Sequence, residues 1–241
     1  MVKKVIILIC VVVPFSASAT SLDIQANNDH VPIIASALSV NGGPLTFGAW
    51  FVTDADPGDS QAILYQMHST SKVRYILRYE DSGGTNRLSL LRDRDGVSTT
   101  QINCNQELGT SGRWWHIVGY DDGTNLRIYL DGEQLCTGSS ATGSGNTGSD
   151  NFSCGRSDQG PSGSVDGRVA HCFLYSVALS ADRIKLLSRR SPPRNDPSLE
   201  LYWPLSEGSG TIIFNHENGN RYGNGSVTTP IWTTQHPPMA Y

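Results

Sequence analysis

Residues 114–136, WWHIVGYDDGTNLRIYLDGEQLC, constrain the fold of this chain more than any other stretch. Trp114-Trp115-His116-Ile117-Val118 is aromatic and β-branched, which suits a half-buried pleated surface. Asp122-Gly123 interrupts it as a turn, because glycine reaches positive φ at little steric cost. Leu126, Ile128 and Leu130 then alternate with Arg127, Tyr129 and Asp131, a period of two that places the apolar set on one face of a strand. Asp131-Gly132 follows as a second tight turn, and Asp-Gly between alternating runs is the strongest short-range hairpin signal. The stretch therefore reads as apolar-patterned strands joined by turns of Asp and Gly.

The rest of the chain follows the same rhythm. Leu45 to Thr53 is apolar on both faces, as expected of a strand between two packed layers. Ala62 to Met67, Val73 to Glu80, Leu88 to Arg92, Val97 to Asn103, Phe152 to Arg156 and Val165 to Tyr175 read as further strands, separated by Asp, Gly and Ser. Residues 138–150 hold almost nothing that can be buried and read as a flexible loop or a long strand connection. Ser180 is placed to N-cap a short helix through about Leu187.

The chain has 241 residues, enough for one all-β domain with a real core. With 38% hydrophobic and 17% charged residues it is not a disordered composition. Residues 1–19 have the form of an export leader: Lys3 and Lys4, the apolar run Val5 to Val13, and the small residues Ala17-Ser18-Ala19. The expected mature chain is 20–241, and no later segment is apolar enough to cross a membrane as a helix. The formal net charge of −4 becomes more negative when Lys3 and Lys4 leave, which argues against nucleic acid as a partner. Removal of the leader also removes Cys10, leaving Cys104, Cys136, Cys154 and Cys172. An even number in an exported chain points to disulfides, and four cysteines allow three connectivities. Cys154–Cys172 is favoured because both lie in strands separated by one loop, and Cys104–Cys136 then follows by elimination. Four buried thiols are the alternative.

Trp114, His116, Asp122, Gly123, Leu126, Tyr129, Asp131 and Gly132 stand as they do in laminin G-like domains of the concanavalin A-like jelly-roll superfamily, which the chain resembles. Trp50 matches the Trp of that family's first long strand, and Gly167, Val169, Tyr175, Ala178-Leu179-Ser180 and Ile184 follow its closing strand and short helix. The segment from Leu199, with Tyr202-Trp203-Pro204-Leu205, is similar to the strand that usually comes first; here it comes last. It reads either as the outer strand of the same sandwich, the preferred reading, or as the stump of a second domain. The resemblance implies an all-β, antiparallel two-sheet jelly-roll sandwich with one short helix near the C-terminal part. It also implies a superfamily that mostly recognises glycans or proteins and catalyses only in some branches.

Glycanases need two carboxylates across the sugar. None of Glu80, Glu107, Glu133, Glu200, Glu207 or Glu217 has an acidic partner two or four residues away in a strand, and no Gly-x-Ser-x-Gly precedes a helix. The expectation is a protein that is not an enzyme. His116 reads as a structural histidine hydrogen-bonded inside the sandwich. Many relatives of this kind carry acidic residues where Gln25 and Ala170 stand here, so two of the usual calcium ligands are replaced; Asp29 remains as a candidate ligand, with Asp54, Asp56 and Asp59 in the loop after Trp50.

For a ligand surface, alternation puts Arg74 and Arg78 opposite Val73, Tyr75, Leu77 and Tyr79, and Arg127 and Tyr129 opposite the apolar set of their own strand. If these polar faces share one sheet, Arg74, Arg78, Arg127 and Tyr129 form a groove suited to an acidic glycan. If they do not, the loops at 54–60, 81–86 and 157–164 become the candidates. The functional expectation is a secreted or cell-surface binding module, with the periplasm as the alternative location. Its expected partner is carbohydrate or a cell-surface glycoconjugate. A structural or adhesive protein-contact sandwich is the runner-up, and a degenerate glycanase the third.

Overall fold

A computed structural model describes residues 21–24, 35–38, 44–57, 60–67, 73–94, 98–140, 150–155, 165–219, 223–227 and 230–239. It is an antiparallel two-sheet sandwich with one short helix, the fold class expected from the sequence. In chain order the strands are β1 (Ser21–Ile24), β2 (Ala35–Leu38), β3 (Leu45–Thr53), β4 (Ser60–Met67), β5 (Val73–Asp81), β6 (Asn86–Arg94), β7 (Ser98–Asn105) and β8 (Trp115–Asp121). They continue as β9 (Asn125–Leu130), β10 (Glu133–Ser139), β11 (Asp150–Cys154), β12 (Gly167–Tyr175), then helix α1 (Ala181–Leu187) and β13 (Leu199–Trp203). The short strands β14 (Ile212–Ile213), β15 (Gly225–Ser226) and β16 (Ile231–Thr233) close the chain.

The larger sheet runs β10-β9-β8-β3-β12-β1-β16, and the smaller one β2-β11-β4-β5-β6-β7. β12 is shared along one edge: Gly167–Val169 pair with β1, and Cys172–Tyr175 pair with β13. The C-terminal strand thus extends the line begun by the N-terminal one. Leu201, Trp203 and Leu205 are fully buried in the core between the sheets.

Strand alternation sets that core. Phe47, Ala49 and Phe51 of β3 meet Tyr75, Leu77 and Tyr79 of β5, with edge-on contacts between Phe47 and Tyr75 and between Phe51 and Tyr79. Burial of each such ring is worth roughly 1.5–3 kcal/mol. At one end the buried Asp121 carboxylate accepts from the Tyr75 and Ser140 hydroxyls and pairs with Arg92 at 3.2 Å, so the charge taken out of water is compensated.

Two disulfides tie one sheet to the other. Cys104 on β7 is joined to Cys136 on β10, and Cys154 on β11 to Cys172 on β12, the pairing favoured from the sequence. Their Cα separations, 5.9 and 6.5 Å, lie within the span a bridge accepts.

The outer face of the larger sheet is not left to solvent. Val118, Tyr120, Tyr129, Phe173, Tyr175 and Tyr202 on that face pack under Ile184 and Leu187 of α1 as a second apolar layer. Ser180 caps the helix by accepting the Arg183 N–H. The helix lies tightly on the β9–β10 turn: a Cβ at Gly132, whose φ is +87°, would sit 2.9 Å from Lys185 Cα. Beside the helix, Met239 of the C-terminal tail packs on Trp50 and Ala170.

Candidate functional site

The four residues expected to line one groove do not share a surface. Arg78 projects from β5 in the smaller sheet, whereas Arg127 and Tyr129 lie on β9 in the larger one, with the core between them. Arg74 is also on β5, and its side chain lies outside the described residues. Arg78 is occupied where it stands: it pairs with Glu80 at 2.9 Å and donates to Ser89 and Gln101. Glu80 is buried and also holds Arg87, so this outer face is a self-satisfied polar ladder. Arg127 pairs with Asp122 at 2.9 Å and lies 4.7 Å over the Tyr120 ring. Burial works to raise the Asp122 carboxyl, but hydrogen bonds from the Asn125 and Thr124 backbone and from Arg127 outweigh it and hold the group down at about 2. Tyr129 is only 4% exposed, under the helix-covered layer. Alternation assigned Arg78, Arg127 and Tyr129 to the outward side of their own strands. It does not report which sheet the strand joins, or what covers that side.

Of the three fallback loops, 157–164 lies outside the described residues and 54–60 is described only in part. Gln25 and Asp29 also lie outside them, as do most of residues 138–150. Asp54 pairs with Arg168 at 2.7 Å, and Ala170 sits in the apolar contact with Trp50 and Met239. Among the described residues no three His, Cys, Asp or Glu side chains gather as a metal site.

A cleft of about 490 Å³ opens elsewhere, on the outer face of the larger sheet between the end of α1 and the C-terminal tail. Its floor comes from two strands: Trp50 on β3, and Trp114 just before β8. Trp50 pairs in register with His116, and the two-residue period puts Trp114, His116 and Val118 on that same outer face. Trp50 is 5% exposed and Trp114 half-buried.

The polar walls come from three other places. Asp131, at the β9–β10 turn, holds a φ of +51°, the left-handed conformation that an Asp-Gly hairpin turn demands. One of its carboxylate oxygens accepts the His116 backbone N–H at 2.9 Å, and the other accepts from Arg113 at 2.7 Å. Arg113 is fixed a second time, with its guanidinium 3.6 Å over the Trp115 ring. Ser188 and Arg189 follow the last turn of α1, and His236 and Pro238 come from the tail. Among the described residues the Arg189 side chain has no hydrogen-bond or ion-pair partner. Glu133, whose carboxyl feels Arg189, is bound directly by Lys185, and those two basic groups, Lys185 first, lower its pKa.

Behind the cleft stands His116, fully buried, stacked on Phe173 at a ring-centre distance of 5.9 Å and in tilted contact with Trp50 at 5.3 Å. Among the described residues neither ring nitrogen has a partner, which departs from the expectation of a hydrogen-bonded histidine within the sandwich. Its side chain lies on the opposite side of the sheet from the core. Burial, reinforced by the neighbouring His171, drives its pKa down to about 3, so the ring is neutral at physiological pH.

The sequence marked Trp50, Trp114 and Asp131 as family residues, but not as a site, and missed Arg113, Arg189 and His236. Those three come from distant parts of the chain, and no spacing rule joins them.

A family model described as the concanavalin A-like lectin/glucanases superfamily matches residues 25–185. A search of curated protein sequences returns no match. Among solved structures, a Bacteroides ovatus protein provisionally described as carbohydrate-binding aligns at a TM-score of 0.69 and 19% identity. That alignment covers 92% of this chain and 61% of that one, so the chain spans about three fifths of the Bacteroides protein. A SAP-like pentraxin from Limulus polyphemus aligns at 0.60 and 16% identity, over 87% of this chain and 94% of that one. The CBM40 of a Ruminococcus gnavus IT-sialidase, bound to α2,3 sialyllactose, aligns at 0.52 and 15% identity, over 71% and 98%. At these identities the likeness establishes the fold.

Proposed function

Because this chain belongs to the concanavalin A-like lectin/glucanase superfamily, we propose that it is an exported, non-catalytic carbohydrate-binding module. The observation that carries the reading is the open cleft whose floor is two tryptophans and whose walls are polar. Sugar rings present apolar C–H faces with hydroxyls around the rim, and an aromatic floor with a few convergent donors and acceptors is the matching surface. The neighbours described as carbohydrate-binding, including the sialyllactose-bound module, support the same reading.

Hydrolysis of a glycosidic bond takes two carboxyl groups on opposite sides of the sugar. Among the described residues that line the cleft, Asp131 is the single carboxylate, and it is committed to Arg113 and the His116 N–H. The leader-like residues 1–19 and the two disulfides favour an oxidising compartment, outside the cell or at its surface, with the periplasm as the alternative.

A glycan array probed with residues 20–241 tests the reading. Saccharide binding is expected, with no sugar released from bound glycans. Trp114→Ala is expected to weaken binding by about tenfold or more, the worth of a well-placed aromatic contact. An array with no saccharide bound would overturn the proposal. It would leave the protein-contact reading, for which the half-exposed Ile212 and Phe214 are the surface to examine.

A further inference from the structure

We infer that the cleft selects saccharides carrying an anionic substituent, a carboxylate or a sulfate, and that Arg189 is the residue that reads it. The inference rests on the carbohydrate-binding reading and names the ligand class of the same site.

The argument comes from what each polar wall group has left to give. Arg113 has its charge balanced: its Nη2 donates to Asp131 at 2.7 Å, and its flat face rests on the Trp115 ring at 3.6 Å. Asp131 is held by Arg113 and by the His116 N–H, but a carboxylate pair has about four acceptor directions, so it keeps capacity for sugar hydroxyls. Arg189 differs. It is exposed, lines the cleft, and its side chain has no partner among the described residues. The nearby Glu133 is bound instead by Lys185. A guanidinium has five N–H donors in a planar fork that matches a carboxylate or sulfate. His236 stands on the same rim as a further ring-nitrogen group.

The cleft therefore presents one paired Arg–Asp unit and one uncommitted cation, a local excess of positive charge in a chain of net charge −4. Trp114, Asp131 and Arg189 line the same cleft, so on this inference the ring rests on Trp114, its hydroxyls meet Asp131 and its acidic substituent meets Arg189. Exposed charges are screened with a Debye length of about 8 Å at physiological ionic strength, so this preference is salt-sensitive while the aromatic contact is not.

Matched methyl glycosides test this: glucuronide against glucoside, galacturonide against galactoside, and the 6-sulfated forms of both neutral sugars. Each is titrated by nuclear magnetic resonance into the full mature chain. One or both anionic forms are expected to bind roughly tenfold more tightly than their neutral partner, the worth of one charge-assisted hydrogen bond. The carboxylate and sulfate arms show which anion supplies the preference. Arg189→Ala is expected to abolish the preference for the anionic member of each pair, whereas Trp114→Ala weakens anionic and neutral members alike. Equal binding of anionic and neutral members, or an unaltered preference in Arg189→Ala, overturns the inference and leaves the carbohydrate-binding reading standing. Absence of binding by all of them, with an empty glycan array, overturns both.

Discussion

At the scale of residues, two buried histidines make stability depend on pH. His116 is held near pKa 3, chiefly by desolvation and further by His171. His171 is held near 4, chiefly by desolvation and further by His236, while its Nδ1 lies 2.7 Å from the Tyr202 hydroxyl. The unfolded chain has ordinary histidines of pKa about 6.5. Above that pH both states are neutral and neither residue matters. As the pH falls below 6.5 the unfolded state takes up protons that the folded state refuses, so stability drops by about 1.4 kcal/mol per pH unit for each histidine. The loss continues until the folded values are reached, about 4 for His171 and about 3 for His116. His116→Phe keeps an aromatic ring in contact with Trp50 and Phe173 and removes one titration. Urea unfolding is expected to show similar stability for variant and parent at pH 7.5, and a shallower loss for the variant between pH 6.5 and 4.5. Parallel loss in both proteins would show that His116 contributes nothing to the slope.

At the scale of elements, β13 is the piece whose removal is most costly. Leu201, Trp203 and Leu205 cover the core from the edge of β12, and Trp203 also packs against Phe152 of the opposite sheet at 5.9 Å. Trp203→Ala leaves a cavity at a fully buried site and is expected to cost about 3–5 kcal/mol, read as a fall in the urea midpoint without a change in slope. Truncation after Ser191 is expected to do more, because it bares a row of apolar core and leaves the second half of β12 without its edge partner. A truncated chain that stays monomeric with an unchanged midpoint would show that the tail is dispensable to the fold.

At the scale of the whole molecule, two bridges hold the sheets face to face, and they differ in how easily solvent reaches them. Cys154 and Cys172 are fully buried in the core between the sheets, whereas Cys136 lies half-buried on the edge strand β10. Thiolate exchange needs access to a sulfur. Under mild reductant without denaturant, timed alkylation with mass spectrometry is therefore expected to label Cys104 and Cys136 well before Cys154 and Cys172. Simultaneous labelling would mean that the molecule opens globally before either bridge is attacked. Loss of either bridge is expected to cost about 2–4 kcal/mol.

Much of this architecture was legible along the chain, because the signals involved are local. Alternation in β5 and β9 separated core-facing from outward residues. Asp131-Gly132 announced a turn whose positive φ values the structure contains, and Ser180 marked the start of α1. Of the three connectivities, the one favoured because Cys154 and Cys172 lie in strands separated by one loop is the one the structure holds. Arg78 and Arg127 were each assigned to the outward side of their strands, but a period of two carries no information about which sheet a strand joins. Nor did it reveal that α1 and the tail would cover the outward side of the larger sheet, which buries Tyr129 and leaves His116, among the described residues, without a hydrogen-bond partner. The cleft lay beyond sequence reasoning for the same reason. Arg113, Asp131, Arg189 and His236 converge only when β8, a hairpin turn, the end of a helix and the C-terminal tail are packed on one face. Local stereochemistry fixes the sides of strands and the places of turns, whereas a binding surface arises from contacts between segments far apart in the chain.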